Sequence, residues 1–526
     1  MKIYNLNLTL LLIMKNYLKT FLLNFKLNLK KKLNLNSSFS TIFSMQTIMS
    51  RISFRSIFML IVYLALFIYV ILRANSLSFT HDESLTYDII KGGTTFVNTP
   101  NNHVLNTLLM KISSQCFGES ELALRLPNIL AFGIYLMGIF TITLKSKNIG
   151  LIILVNSLIL FNPFLVDFFS LARGYGLSLG FLMISLFFVL RRNFDCPNFQ
   201  FFFKDYFLAV SFASLSVLSN LSMINFLISI LLIFLFKYII LLRKTDDLSI
   251  KLHLFYALNT IFAFISIHYG LIQLMYLKEH NQLYFGTNNM LESLNSIVIG
   301  SLYFSNLSYY YFISYTIIAI LVFGIISLII KKDILGRFSI IALLIVFLIF
   351  GLLAEHYLFA AKFPSGRTAL IYIPLFALFI YYFALHILHF YHPKKIIFLP
   401  LIIILSSILI CHFFSNINLK FTQAWRYDSH TKDVINILEN HANTSNDSLS
   451  ICSNWLFEPS IKYYIQSRNL KIRLTNSKDF KENADFNYEF EEYLTCNNMK
   501  TLAYYNDIHA RLLMNSNFKK FKININ

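Results

Sequence analysis

Charged side chains are scarce in this chain of 526 residues, and acidic ones are the scarcest. Only 13% of the residues are charged, with 26 acidic against 45 basic, while 56% are hydrophobic and the mean hydropathy is +0.60. Soluble domains carry about 25% charged residues. The composition therefore excludes an ordinary soluble protein and predicts a polytopic α-helical membrane protein.

Metal-binding cysteine motifs are also missing. The five cysteines form no Cys-x-x-Cys pair and no zinc-type spacing with histidine, which argues against a metal cluster of that kind; they are Cys116, Cys196, Cys411, Cys452 and Cys496. Cys452 and Cys496 belong to the same C-terminal region. They could pair in an oxidising compartment, or both could be small hydrophobic side chains.

A basic groove with interleaved aromatic residues is absent as well, so the net charge of +19 does not predict a nucleic-acid partner. Residues 1–55 carry nine Lys or Arg and no acid. The other cations concentrate on alternate loops between apolar segments, as expected when Lys and Arg stay cytoplasmic. The basic loops hold Lys145, Lys147, Arg191, Arg192, Lys204, Arg243, Lys244, Lys251, Lys331, Lys332, Arg337, Lys394 and Lys395.

Eleven apolar segments are predicted to span the membrane, within a range of ten to thirteen because several approach the lower limit of ~17 residues. They are 57–72, 122–144, 151–164, 175–190, 206–218, 223–241, 254–274, 310–330, 338–353, 370–390 and 396–414. With the basic loops inside, the first outer loop is 74–121. The C-terminal region is then extracytoplasmic.

Three regions follow from this pattern: a basic extension at 1–55, a transmembrane region at 56–416 and a soluble domain at 417–526. The extension could be a secretory signal that lacks a clean cleavage site. Alternatively, Met45 or Met49 is the true start.

The C-terminal region alternates between helical and strand patterns. VINILENH, PSIKYYIQS and IHARLLMNS predict helices, whereas SLSICS, LKIRLT and KTLAYYN predict strands. Roughly 100 residues suffice for a hydrophobic core. A small α/β domain is therefore expected.

Two adjacent acids, Asp82 and Glu83, directly follow the first apolar span in FTHDESLTYDII. Acids in a loop are usually only solvated, but a chain with few acids places these two at the membrane edge. The stretch VLNTLLMKISSQCF comes next and has an apolar face at helical spacing, which predicts a helix lying in the interface. His103 precedes this helix, and taken alone it could be a half-buried loop histidine.

Further charges occur in otherwise apolar surroundings. Asp167 and Arg173 flank LVDFFSLARGYG, and charges at membrane depth usually pair or face a cavity. The two could form a structural ion pair, or Arg173 could bind a phosphate while Asp167 faces the same cavity. Arg367 and Arg125 begin later helices, as interfacial anchors or as anion-binding groups.

Together these residues favour transfer of a group from a membrane-anchored phosphate ester. Cations would hold the leaving phosphate, and a carboxylate would take the proton from an incoming hydroxyl. An aspartate is too weak to ionise an alcohol beforehand, so proton removal must be concerted with bond formation. Attack opposite the leaving phosphate would invert the sugar carbon.

The ordered motifs HDESLTY, NNHVLN, ELALRLPN, DFFSLARGYGL and FPSGRTALIYIPLF resemble those of GT-C glycosyltransferases, particularly protein O-mannosyltransferases and lipid A aminoarabinose transferases. The resemblance covers about residues 50–430. It implies a plasma (inner) membrane enzyme that uses a polyprenyl-phosphate sugar and a lipid, glycan or protein acceptor.

The resemblance also implies roles for individual residues. Asp82 matches the essential acid of the first outer loop, with Glu83 beside it, and Asp167 matches a second acid. His103 would lie near the acceptor or near a divalent metal, which the sequence leaves unassigned. Phosphate-binding cations correspond to Arg173 and Arg367, and Arg125 and Tyr175 are further candidates for substrate binding.

A transporter or flippase of lipid-linked saccharides is the main alternative, because intramembrane charges suit both functions. Transporters tend to show paired repeats and broken helices near mid-membrane. Here the charges gather at one interface, and no internal repeat is apparent. A third possibility is a membrane scaffold without catalytic activity, whose C-terminal region binds a partner. It would give Asp167 and Arg173 no role beyond pairing with each other.

Overall fold

The computed structural model describes residues 54–144, 146, 148–194, 199–243, 250–304, 307–333, 335–391, 395–444, 448–475, 484–493 and 499–516. The predictions for the start of the chain and the partner of Cys452 lie outside these residues, since Cys496 is among those not described. Contacts divide the chain into two units, Met1–Tyr63 and Leu64–Asn526. All the contacts of the candidate site are within the second unit.

Helices make up most of the described chain. They are α1 (Phe54–Ser76), α2 (His81–Ile90), α3 (Val104–Phe117), α4 (Glu121–Thr143), α5 (Ile149–Leu160), α6 (Pro163–Asp167), α7 (Gly174–Leu190), α8 (Phe199–Ser219), α9 (Ile224–Leu242), α10 (Ile250–Glu279), α11 (Met290–Leu302), α12 (Tyr310–Lys331), α13 (Arg337–Phe359), α14 (Tyr372–Phe390), α15 (Lys395–Ser415), α16 (Thr431–Thr444) and α17 (Glu458–Ser467).

Eight helices of the described chain are long and apolar enough to cross a membrane: α1, α4, α8, α9, α10, α12, α13 and α14. They correspond to eight of the eleven predicted spans. The other three predicted spans form the shorter apolar helices α5, α7 and α15. A fourth short apolar helix, α11, lies in a segment that was predicted to be an outer loop.

The C-terminal region forms a five-stranded sheet in the order β2-β1-β3-β5-β4. Its strands are β1 (Leu449–Ser453), β2 (Ile472–Thr475), β3 (Phe486–Phe490), β4 (Met499–Tyr505) and β5 (Ala510–Asn515). β1 pairs in parallel with β2 and β3, whereas β5 pairs antiparallel with β3 and β4. The helical prediction for IHARLLMNS is wrong, because this segment is β5, the strand that joins β3 to β4.

The helix α2 carries the two interfacial acids and begins with a sequence-encoded cap. Thr80 precedes it, and the Thr80 amide donates to Glu83 Oε2 at 2.9 Å. This is the S/T-x-x-E capping arrangement, which satisfies amides at a helix start. Asp82 and Glu83 therefore lie in the first turn, where the helix dipole favours negative charge.

One buried apolar cluster extends from the region around α2 into the sheet domain. Phe79 and Tyr87 pack with Val434, Ile461 and Tyr463 in this cluster. The Phe79 and Tyr463 rings stack with centroids 3.9 Å apart. Because apolar burial is the main stabilising term in folding, the sheet domain holds the acid-bearing helix in place.

The predicted interfacial helix is present as α3. Its apolar face is exposed over its whole length, as such a placement requires; the exposed side chains are Val104, Leu108, Ile112 and Phe117. Asn106, by contrast, faces inward and is fully buried.

Candidate functional site

Asp82 lies between two guanidinium groups. Its Oδ2 atom is 3.4 Å from Arg367 Nη2 and 3.6 Å from Arg173 Nη2. These separations exceed ordinary charge-assisted hydrogen bonds of 2.7–2.9 Å, and Oδ2 has no closer hydrogen-bond donor among the described residues. The carboxylate is thus held electrostatically, with an acceptor position still open.

Arg173 is fully buried and fixes this arrangement. Its Nη1 atom donates to the Asp82 carbonyl oxygen at 3.1 Å and to the Asn101 carbonyl oxygen at 3.0 Å. The next residue must be glycine, since a Cβ on Gly174 would lie 1.9 Å from the Ser219 carbonyl oxygen. The ARGYG sequence therefore allows the chain to pass close to α8 while Arg173 reaches α2.

Glu83 differs from Asp82, because both of its carboxylate oxygens accept short hydrogen bonds. Oε2 accepts from Arg125 Nη2 at 2.7 Å, and Oε1 accepts from the Arg125 Nε at 2.8 Å and the Ala172 amide at 2.5 Å. Arg125 also donates to the carbonyl oxygens of Ala74, Leu77 and Ser78. This fully buried pair joins the end of α1, the start of α2 and the start of α4.

Asp167 and Arg173 do not form the ion pair that was one of the two alternatives for them. Asp167 Oδ1 instead accepts from Arg73 Nη2 at 2.5 Å, and Oδ2 accepts from the Gln423 amide at 2.9 Å. Tyr303 donates to the same carboxylate. The reason is positional: Arg173 points towards α2, while Arg73 at the end of α1 reaches Asp167.

Burial raises the pKa of Asp167 to about 6, although Arg73, the Gln423 amide and Tyr303 act in the opposite direction. The carboxyl is 2% exposed and, like Asp82, lies outside the lining of the cavity described below. Its contacts join α1, α6 and the segment Gln423–His430.

His103 and Tyr175 lie beside the Asp82 site. Arg173 Nη2 donates to His103 Nε2 at 3.2 Å, and the His103 and Tyr175 rings meet edge to face at 4.9 Å. Burial, followed by the charges of Arg173 and Arg367, lowers the pKa of His103 well below its ordinary value. The imidazole is therefore neutral near pH 7, and Nε2 serves as an acceptor.

A cavity of about 690 Å³ opens next to this cluster. His103, Tyr175 and Arg367 line it, and Lys362 adds a second cation. The Arg367 guanidinium lies over the Trp425 ring at 4.9 Å and over the Phe285 ring at 5.1 Å, so aromatic faces orient it. The walls also carry leucine from α10 and α13, and Ile371 just before α14, which suits an amphipathic ligand.

Two contributions of the C-terminal region were missed from sequence. Asp428 Oδ2 accepts from the His81 amide at 2.7 Å, at the start of α2, and Trp425 supports Arg367. Burial raises the pKa of Asp428 well above its ordinary value. WRYDSH is a polar, aromatic stretch, but the His81 amide that Asp428 contacts is 347 residues away.

The side chains around Asp82 do not fit a divalent metal. Among the described residues, no group of three or more His, Cys, Asp or Glu side chains could hold an ion. Glu83 is saturated by Arg125, and His103 faces a guanidinium. The chemistry below therefore uses side chains alone.

Fold and site together define a mostly helical, multi-span membrane protein with an acid–guanidinium site beside a large cavity. No protein-family model and no curated protein sequence matches the chain.

Among solved structures, ArnT from Cupriavidus metallidurans in the apo state is similar, with a TM-score of 0.47, 8% identity, and coverage of 86% of this chain and 97% of that chain. ArnT from the same organism bound to undecaprenyl phosphate is similar with a TM-score of 0.44, 12% identity, and coverage of 87% and 97%. ArnT is a lipid A aminoarabinose transferase with a GT-C fold. With both TM-scores below 0.5, the function has to be argued from the geometry of the site.

Proposed function

We propose that this protein is a membrane glycosyltransferase that moves a sugar from a polyprenyl-phosphate donor to an acceptor hydroxyl, with inversion at the sugar carbon. The observation that carries the proposal is the contrast among three buried acids. Glu83 and Asp167 have their oxygens occupied by close donors, whereas Asp82 Oδ2 is held only by more distant guanidinium groups. One of these, Arg367, also lines the cavity.

Arg367 and Lys362 are the phosphate-binding groups in this proposal, because guanidinium and ammonium groups match phosphate oxygens. Arg367 is 24% exposed and so can reach a ligand, whereas Arg173 is fully buried. A phosphate bound at Arg367 would compete with Asp82 for the same guanidinium. The carboxylate oxygen would then be available to the incoming hydroxyl.

In the transfer step, the acceptor oxygen forms a bond to the anomeric carbon while the bond from that carbon to the phosphate oxygen breaks. The acceptor proton passes to Asp82, and the electron pair leaves with polyprenyl phosphate, whose charge Arg367 and Lys362 offset. His103 and Tyr175 orient the substrate. Arg173, Arg125, Glu83 and Asp167 hold the surrounding segments.

The proposal includes a topology. Eleven spans, basic loops in the cytoplasm and an extracytoplasmic domain at 417–526 would place Asp82 on the outer face of the plasma (inner) membrane. The shared apolar cluster of Phe79 and the sheet domain supports one side for both, since these residues pack directly together.

The test is to incubate the purified full chain with a panel of polyprenyl-phosphate sugars and to follow release of free polyprenyl phosphate. A transferase releases it in an acceptor-dependent manner. Movement of intact saccharide lipid across vesicles without release would instead identify a flippase, the alternative function.

A further inference from the structure

A second set of polar groups lines the cavity, and the proposed step does not use it. Three buried side-chain atoms there have no hydrogen-bond partner among the described residues: Asn220 Nδ2, Ser222 Oγ and Gln282 Oε1. Asn220 is 5% exposed. A buried polar atom without a partner costs about 1–3 kcal/mol, so the residues that carry these three atoms bring unused hydrogen-bonding capacity to the cavity wall.

Glu355 on α13 belongs to the same lining. Asn225 hydrogen-bonds it from α9. Gly351 permits this approach, since a Cβ there would lie 2.6 Å from Asn225 Oδ1. The carboxylate is thus positioned by a second buried polar residue, on the cavity wall.

We propose that Asn220, Ser222, Gln282 and Glu355, the polar wall of the cavity, bind hydroxyl groups of the donor's sugar and select against a sugar that carries a carboxylate. This inference rests on the proposed function. The wall offers N–H and O–H donors together with amide and carboxylate acceptors, and a sugar hydroxyl needs both.

The other parts of the donor fit elsewhere in the cavity. Its phosphate matches the cations Arg367 and Lys362, and its polyprenyl chain matches apolar wall residues such as Leu348 and Leu352. The polar wall has no cation, so it does not suit the phosphate. When it is ionised, Glu355 would repel a uronic acid, which is discrimination by like charge.

The experiment measures equilibrium binding of three lipids to the full chain in detergent at about pH 8.5, where the Glu355 carboxyl is ionised: polyprenyl phosphate alone, the same lipid with a neutral hexose, and the same lipid with a hexuronic acid. The wild type is expected to bind the hexose lipid tightest and the hexuronic lipid at least about tenfold more weakly, because of the unfavourable charge at Glu355.

Ser222→Ala removes a hydroxyl that has no protein partner, so the fold should be unaffected. It is expected to weaken binding of the hexose lipid about fivefold and to leave polyprenyl phosphate unchanged. Ser157→Ala is the matched control, because its buried hydroxyl also lacks a partner but lies outside the cavity lining. Gln282→Leu repeats the test if Ser222→Ala does not fold.

Glu355→Gln keeps a polar group of the same size and removes the charge. Its binding of the hexuronic lipid should rise about tenfold, which would abolish most of the discrimination. Equal binding of all three lipids by the wild type, or an equal loss for all three in Ser222→Ala, would overturn the inference alone. A wild type that binds none of the lipids would overturn the proposed function as well.

Discussion

Asp82 and Glu83 are neighbours on one helix, yet they face different environments. Glu83 is enclosed by Arg125 and backbone amides at 2.5–2.9 Å and has no exposed surface. Asp82 contacts guanidinium groups at 3.4 and 3.6 Å, and one of these borders the cavity. Two acids that are adjacent in sequence thus differ in what they can still bind.

The comparison shows that the number and distance of donors to each oxygen separate a structural acid from a reactive one. A saturated carboxylate has no acceptor position left for a substrate proton, but it joins segments of the chain firmly. A carboxylate held by longer contacts can exchange a partner when an anion arrives. This distinction can be tested directly by substituting each acid, or the arginine that contacts it, separately.

The largest effect is expected for Asp82→Asn. Removing the proposed base should lower kcat by about 10³-fold, while the thermal unfolding temperature should change little because the contacts at Asp82 Oδ2 are long. Release of polyprenyl phosphate and a melting curve measure the two quantities. Normal turnover in the folded Asp82→Asn variant would contradict the assignment of Asp82.

Glu83→Gln should behave in the opposite way. It leaves the buried Arg125 guanidinium without its counter-charge, so stability should fall by about 3 kcal/mol. Thermal unfolding in detergent measures this loss, with Asp82→Asn as the control for removing one negative charge from the same helix. An equal melting temperature for both variants would show that the two acids do not differ in this respect.

Arg367→Gln tests the more exposed of the two arginines that contact Asp82. Because this arginine is proposed to hold the phosphate, KM for the donor should rise about tenfold. Arg367→Lys retains the charge but not the planar fork, so it should give an intermediate value. The proposal would be weakened if donor KM stayed constant while the acceptor KM rose.

Asp167→Asn also removes the counter-charge of a buried guanidinium, that of Arg73, and the pH dependence of its stability is more informative than the size of the loss. The pKa of this acid is raised to about 6 in the folded chain, from an ordinary 3.8. Its contribution to stability is therefore full below pH 3.8 and is lost as the pH rises through 6. Melting curves between about pH 4 and pH 7 should show the wild type losing stability relative to Asp167→Asn. The reverse slope would mean that Arg73 outweighs burial.

Local sequence signals predicted several elements of the fold. Each of the eleven apolar segments corresponds to a helix, because an apolar run of this length has few other stable forms in a membrane. The threonine and glutamate around Asp82 encode a helix start. Asp167 and Arg173 mark the α5–α7 connection in the sequence, but their actual partners, Arg73 and Asp82, were not among the alternatives considered.

The features that the sequence does not predict depend on long-range contacts. Arg73 ends the first span, and only the fold brings it to Asp167, 94 residues away. Likewise, IHARLLMNS was read as a helix although Ala510 and Leu512 pair with β3 and β4. Pairing between strands overrides local helical preference, so neither feature could be derived from one segment alone.

The contacts of the Gln423–His430 segment also have a consequence for biosynthesis. The Gln423 amide reaches Asp167 across 256 residues, and Asp428 reaches the first amide of α2 across 347 residues. Since chains are made from the amino terminus, the early helices can insert long before these partners leave the ribosome. The candidate site is completed only when the last fifth of the polypeptide is present, and a prematurely terminated chain would lack the contacts that hold Asp167 and the start of α2.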